Sequence, residues 1–493
     1  MTGWLRGLLV CAVAAVPLAF AARPATAQIA PRYRIVELAT PAGYTSAGNA
    51  INNAGVVVGT VTDPSGRPRA TRWSATGAAT DLGLLPGGSG SVANGVNDSG
   101  QATGSADRTS GGFAYPVRWS AAGVIQDLGG PATNRLGTGS AIDPAGRVAG
   151  GQRPIDSQAD PLGILYGVDG TPTELGPAFG LARGINGYGQ VVGGPGYVWR
   201  DGAATSLPNL PDGTGSVAYA INNGGDVVGT ASVSDGLRAV RWRGGAVSDI
   251  GTVDGIRFST AKAVNAAGQV VGTADPMCFP CVAPRAWIWQ PGTAITPLDT
   301  LLPPGSGWTL REANGINDRG EIVGVGLHGG VARAYRLSPV FAVGVNFQPA
   351  GAAVPPGYVA DTGATFGSRG SGRAFGWNVD NTANARDRNA PASPDQRYDT
   401  LTHMQKAGGA TVWEIAVPVG TYIVHVVAGD PAHTDSTYRI TVEGLTAVSG
   451  PPSVANRWLE GTVRVLVTDG RLTVANGAGA VNNKLNMIDV VAT

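Results

Sequence analysis

The phrase "AINNGGDVVGT", Ala220 to Thr230, recurs with variations seven times along the chain. The other copies are "AINNAGVVVGT" from Ala50, "GVNDSGQATGS" from Gly95, "AIDPAGRVAGG" from Ala141, "GINGYGQVVGG" from Gly184, "AVNAAGQVVGT" from Ala263 and "GINDRGEIVGV" from Gly315. A phrase that returns at this period marks a repeated supersecondary unit, too small to bury its own faces and stable only when stacked on its neighbours. In each copy an Asn, once Asp143, is followed three positions later by Gly. The pairs are Asn52 and Gly55, Asn97 and Gly100, Asp143 and Gly146, Asn186 and Gly189, Asn222 and Gly225, Asn265 and Gly268, Asn317 and Gly320. Asn or Asp first and Gly fourth is the signature of a type I turn whose Gly takes the left-handed position. The β-branched run that follows, Val56 to Val58 or Val270 to Val271, makes the phrase the corner of a hairpin, and the small residue after it lets a neighbouring element approach.

Two more phrases fill out the unit. "RATRW" ends at Trp73, "YPVRW" at Trp119, "GYVW" at Trp199, "RAVRW" at Trp242 and "RAWIW" at Trp289, while the third and seventh units offer "LYGV" around Tyr166 and "RAYRL" around Tyr335. A "DLG"-like phrase then leads to the next hairpin. Successive turn residues are 45, 46, 43, 36, 43 and 52 positions apart. Four short strands per repeat of this length predict a seven-bladed β-propeller over residues 33–339, with "YRIVEL" at Tyr33 to Leu38 supplying the last-type strand of the first unit. The alternative architecture is a β-solenoid, whose repeats are usually shorter. The 76 glycines and 34 prolines weigh against long helices and for an all-β class. The series "AxxINxxGxVVG…xW…DLG" resembles the HAF family of extracellular repeats, with Arg-Ala-Thr, Arg-Ala-Val or Arg-Ala-Trp standing where that family has His-Ala-Phe.

After Pro339 the phrase stops. Residues 345–493 carry alternating runs such as "ATVWEIAVP", "TYIVHVVAGD" and "GTVRVLVTDGRLTVANG", broken by turn residues, and read as antiparallel hairpins in a jelly-roll-like β-sandwich. The order "VNFQP…PPGYVADTG…FGSRG…FGWN…RYDTL…NNKLNMIDV" resembles malectin-like and galactose-binding-like sandwiches. That resemblance implies carbohydrate binding, in which aromatic faces stack on sugar rings and fixed polar groups meet the hydroxyls. The candidate ligand-binding residues are Trp377, in the Gly- and Asn-rich "FGWN", then Tyr358, with Arg388 and Asp395 from the polar loop beside them. Trp413 and Trp458 read as core, and His425 as a satisfied strand histidine.

The remaining signals concern location and chemistry. Arg6, the apolar stretch "GLLVCAVAAVPLAFAA" and "ATA" before Gln28 read as a signal peptide over residues 1–27, which predicts a secreted protein, extracellular or periplasmic, with no membrane insertion after cleavage. In that setting Cys278 and Cys281 of "PMCFPC" predict a local disulfide. With 35 basic against 34 acidic side chains, no nucleic-acid-binding face is announced. The GxGxxG match "GVGLHG", Gly324 to Gly329, precedes no helical pattern, and the four histidines lack metal-type spacing. No cofactor is expected. The sequence leaves room for a structural calcium at Asp430 or Asp435 without supplying a ligand loop. The expectation is a non-catalytic binding protein whose sandwich recognises an extracellular glycan. Its rivals are a polysaccharide-active enzyme with catalytic groups on the propeller face, since paired carboxylates can come from distant blades, and a propeller scaffold that binds protein.

Overall fold

The computed structural model describes residues 33–110, 112, 114–129, 135–154, 161–253, 256–276, 283–369, 373–406 and 409–493. The expected leader and the Cys278–Cys281 pair lie outside the described residues. The chain divides into two compact units, one reaching to Ala342 and joined by Val491–Thr493, the other Val343–Val490.

Among the described residues the first unit contains seven four-stranded antiparallel sheets. The sheet of Thr45–Ile51, Val57–Thr62, Pro68–Trp73 and Ala79–Asp81 is typical, its strands in chain order. Each sheet packs on the next, and the seventh packs on the first. The unit is a β-propeller. The seventh sheet joins Trp308–Ile316, Ile322–His328 and Val331–Pro339 to the first strand of the described residues, Tyr33–Glu37, in antiparallel register from Tyr33↔Pro339 to Glu37↔Tyr335. The sequence suggested that "YRIVEL" belongs to the first unit. It belongs to the last, because a strand that completes the seventh sheet ties the two ends of the ring together.

The seven turns follow from their Asn and Gly. All seven turn glycines have φ between 73° (Gly320) and 89° (Gly146), the left-handed region that costs a residue with a Cβ. In the first turn the Gly55 amide donates to the Asn52 carbonyl at 3.0 Å, and the Asn52 side-chain oxygen accepts from the Val56 amide at 2.9 Å. The Asn side-chain nitrogen leaves the unit. It donates to the carbonyl of the next unit's turn residue, from Asn52 to Asn97 (2.9 Å), Asn97 to Asp143 (2.9 Å), Asn186 to Asn222 (3.2 Å), Asn222 to Asn265 (2.9 Å), Asn265 to Asn317 (3.1 Å) and Asn317 back to Asn52 (3.0 Å). Where the fourth residue after the Asn is Gln101, Gln190, Gln269 or Glu321, its oxygen takes the second hydrogen at 2.8 to 2.9 Å. A buried amide group is thus satisfied on both its donor and its acceptor side. Asp143 has no hydrogen to give. Its carboxylate instead holds Arg147 at 2.7 Å, and that guanidinium lies against Gly189 in the next turn.

The innermost strand of every sheet is interrupted at the same place, and that of the seventh sheet a second time at Arg311. The register slips at Asn49, Asn94, Ser140, Arg183, Tyr219, Lys262 and Asn314, each a β-bulge between two small residues, Gly or Ala. All seven are half-buried with buried neighbours before them, so they line the axis of the ring. The small flanking residues are required because inner strands converge there. A Cβ on Gly184 would stand 3.0 Å from the Ala220 Cα, and one on Gly95 3.1 Å from the Ala141 Cα. The glycine of the "VVG" run answers the bulge from the second strand: at Gly59, Gly104, Gly229 and Gly324 a Cβ would strike the carbonyl that the bulge turns toward it.

The third strand carries the aromatic and the arginine of the second phrase. Trp73, Trp119, Tyr166 and Trp242 are buried opposite the second residue after the turn glycine, Val57, Ala102, Val148 and Val227. In the sixth unit Trp289 has that register but is only half-buried, and Trp287, opposite Gly272, fills the core. Tyr335 does the same opposite Gly324. The arginine beside the aromatic straps one unit to the next. Arg72 donates to the Ala121 carbonyl at 2.7 Å, Arg118 to Gly146 at 2.6 Å, and Arg336 to Ala75 at 2.7 Å. "GVGLHG" falls on the end of strand Ile322–His328 and a hairpin turn, and no helix follows it.

The second unit has a five-stranded sheet, in the order Tyr358–Asp361, Ala342–Phe347, Met487–Ala492, Gly420–Gly429, Trp458–Val467, and a six-stranded sheet that includes Ala374–Trp377, Trp413–Ala416 and Arg471–Asn476. Its core is organised by a carboxylate. Asp361, 1% exposed, accepts from the Trp377 indole at 2.8 Å, the Trp413 indole at 2.9 Å and the Gly363 amide at 2.8 Å. Burial pushes its pKa up, and the three donors oppose that shift. Phe347 meets both indoles edge-on.

The inter-turn bonds generate a paired prediction. Asn52→Asp removes the donor to Asn97 and sets a carboxylate against a carbonyl, which should cost about 1–3 kcal/mol of propeller stability. Asp143→Asn keeps the acceptor for the Arg147 amide and loses only a part-exposed ion pair, so it should stay within about 1 kcal/mol of the parent. Urea midpoints of the two variants check this, and equal losses would contradict it.

Candidate functional site

One face of the five-stranded sheet gathers polar and aromatic side chains. Along Gly420–Gly429, Tyr422, Val424 and Val426 turn into the core, so His425 turns out. Along Met487–Ala492, Ile488 and Val490 turn in and Asp489 out. The register sets Trp458 beside Gly429, Glu460 beside Val427 and Thr462 beside His425. On the other side Tyr358 pairs with Gly344. The two glycines have a use. A Cβ on Gly344 would lie 2.8 Å from the Tyr358 ring and 3.0 Å from the Asp489 carboxylate, and one on Gly429 would run into the Trp458 ring. Both rings can therefore lie down on the sheet, with Asp489, His425 and Glu460 between them.

The short helix Gln396–Asp399 overlooks this face. Asp395 caps it, accepting from the Arg397 amide at 2.9 Å, and its carboxylate grips the Arg397 guanidinium at 2.6 Å. The guanidinium carbon sits 5.8 Å from the ring centres of both Tyr358 and Tyr398. The Tyr398 carbonyl accepts from the Trp458 indole at 3.0 Å and from Asn486 at 3.1 Å, which fixes the helix over the sheet. Tyr398 and Trp458 meet edge-on at 5.7 Å.

The charges are arranged around the imidazole. His425 Nε2 lies 3.3 Å from Glu460 and Nδ1 lies 3.5 Å from Asp489. Hydrogen bonding to Asp489 leads in raising the His425 pKa, with burial opposing it and the charges of both carboxylates adding to it. Burial, then Asp489, pushes the Tyr358 phenol up, and burial does the same to Tyr398. The bond to Asp395 raises the pKa of Arg397 further. The face thus offers carboxylate acceptors, guanidinium and phenol donors, and aromatic faces within one patch.

The sequence-chosen residues fare differently. Tyr358 belongs to the patch. Trp377 does not: it is fully buried, bonded to Asp361, and cannot present a face to a ligand. Arg388 is a counter-ion inside the unit, gripping the buried Asp430 through two nitrogens at 2.7 and 3.1 Å. Asp395 reaches the patch only by holding Arg397. At Asp430 and Asp435 the buried Lys484 ammonium stands 3.1 Å from the first carboxylate and 3.3 Å from the second. Trp458, read as core, is half-buried and part of the patch. His425, Glu460 and Asp489 were legible only as polar residues at the outward parity of "YIVHVVAG", "WLEGTV" and "MIDVVA". Nothing in the sequence says that those three strands are neighbours.

No family model and no curated protein matches the chain. Among solved structures it is similar to the protein YXIM of Bacillus subtilis (20% identity, 31% of this chain and 40% of that one, TM-score 0.24). It is also similar to a streptogramin B lyase (12%, 62% and 98%, TM-score 0.43) and to the β-propeller domain of the trilobed protease of Pyrococcus furiosus (10%, 61% and 94%, TM-score 0.39). The chain thus spans well under half of the Bacillus protein and nearly all of the lyase. At these TM-scores the likenesses supply no functional residue.

The imidazole gives a pH prediction. A raised folded pKa means that the stability His425 contributes is fully present below the unfolded value of about 6.5 and is lost as pH rises through the folded value. As pH rises above about 6.5 the parent should therefore lose stability relative to His425→Gln. Parallel pH profiles of the two proteins in urea unfolding would refute the assignment.

Proposed function

We propose that the protein is an exported, non-catalytic binding protein, a seven-bladed propeller followed by a β-sandwich, and that the sandwich recognises carbohydrate on the face of its five-stranded sheet. The observation that carries the reading is the pair of aromatic rings, Tyr358 and Trp458, laid over Gly344 and Gly429 with Asp489, His425 and Glu460 between them. Flat apolar faces separated by fixed acceptors and donors match the two surfaces of a sugar ring, its C–H face and its hydroxyl rim. The leader over residues 1–27 supports export, and the sevenfold phrase with its ring of turn-to-turn bonds supports the blade number.

The test is a glycan array with the full-length protein, followed by calorimetry on the best ligand. Tyr358→Ala should weaken binding by about 1–2 kcal/mol, roughly tenfold or more, and leave melting nearly unchanged. Gly344→Ala should do the same by displacing the Tyr358 ring. Trp377→Ala should cost about 3–5 kcal/mol of stability, as a core truncation does. Binding that survives both patch variants would sink the reading. Turnover of a bound polysaccharide would replace it with the enzyme reading.

A further inference from the structure

The seven bulges that line the propeller axis are not equivalent. From the sixth unit round to the third they are bonded to one another's units. Lys262 gives 2.8 Å bonds to Glu312 and Asn314, Asn314 donates to the Gly48 carbonyl at 3.1 Å, Asn49 to Ala93 at 2.8 Å and Asn94 to Gly139 at 2.9 Å. The arc that remains holds Ser140, Arg183 and Tyr219. Here the pattern breaks. Among the described residues the Arg183 guanidinium has no ion pair and no hydrogen bond, its Nε is buried without a partner, and its contact is the Tyr219 ring, 4.8 Å away.

Lys262 and Arg183 are the two cations among the seven axial bulges, and Glu312 matches the first. Arg183 is left as the unmatched charge. A half-buried guanidinium forgoes water without gaining a counter-ion, a costly state that an anion relieves. Its planar fork of donors fits a carboxylate, and the aromatic ring on one face holds that fork in orientation. The single unmatched charge suits a monoanion. We propose that the propeller axis is a second binding site, distinct from the sandwich face, that takes the carboxylate group of a small molecule on Arg183 beside Tyr219. The bulge is what makes the site: it turns an extra side chain toward the axis from each inner strand, and among the seven bulges at this common level only that of the fourth unit is a cation with nothing across from it.

The experiment uses the full-length protein and a probe without a sugar, so that the sandwich reading is not tested with it. Carbon-13-labelled acetate is titrated by NMR at ionic strength matched with chloride, with acetamide as the uncharged analogue and inorganic phosphate as the rival oxyanion. The expected result is saturable broadening by acetate but not acetamide, weakened roughly tenfold or more in Arg183→Gln and retained in Arg311→Gln, whose arginine bulges from the seventh inner strand at another level. Unliganded Arg183→Gln should melt no lower than the parent, because an unmatched charge has been removed. Acetate behaving as chloride, or equal responses in the parent and Arg183→Gln, would overturn the site. Tighter binding of phosphate through Arg183 would overturn the carboxylate assignment.

Discussion

A single donated hydrogen, from an asparagine side chain in one turn to a backbone carbonyl in the next, sets the geometry on which the propeller rests. The bond from Asn317 to Asn52 spans the two ends of the repeat and has the same partners as the bonds inside it. Because the donor also fastens its own turn through Val56 or its equivalents, the local corner and the inter-unit spacing are fixed by one side chain. Glutamine is too long to serve both, and aspartate lacks the hydrogen. The third unit shows the consequence, since there the carboxylate holds an arginine whose guanidinium lies against Gly189 of the neighbouring turn.

The second constraint is crowding at the axis. Inner strands that converge cannot all carry side chains, so small residues flank each bulge and a glycine on the second strand makes room for the displaced carbonyl. The "VVG" of the phrase and the small residues before its Asn are therefore two halves of one steric solution. Between them stands the position that steric demands leave free, and it is occupied by Asn, Asn, Ser, Arg, Tyr, Lys and Asn. Variation is confined to where the packing does not decide the residue.

That division explains what the sequence revealed and what it hid. The all-β class, the turns and the buried Trp73, Trp119 and Trp242 were legible because each depends on residues within one repeat, and repetition separates signal from accident. The arginine straps were quoted in "RATRW" and "YPVRW" without a role, since their acceptors lie a whole unit away. The patch on the second unit was almost wholly hidden. Its strands come from residues near 344, 358, 425, 460 and 489, and no repeat announces their order. Trp377 misled because "FGWN" looks like a loop, whereas a four-residue strand there carries the indole onto Asp361. A short strand among glycines has too few alternating positions to declare its inward side.

The pairing of Tyr33–Glu37 with Val331–Pro339 has a temporal side. A ribosome delivers the first partner some 300 residues before the second, so six sheets can be assembled while the opening strand has nowhere to go. Until that partner exists, Tyr33–Glu37 has an unpaired edge. The loop that the final pairing closes is the longest in the unit, and its entropy must be met before the ring gains any cooperativity. The turn-to-turn bonds shorten that search, because six units already held at the right pitch bring the two ends to within reach of one another.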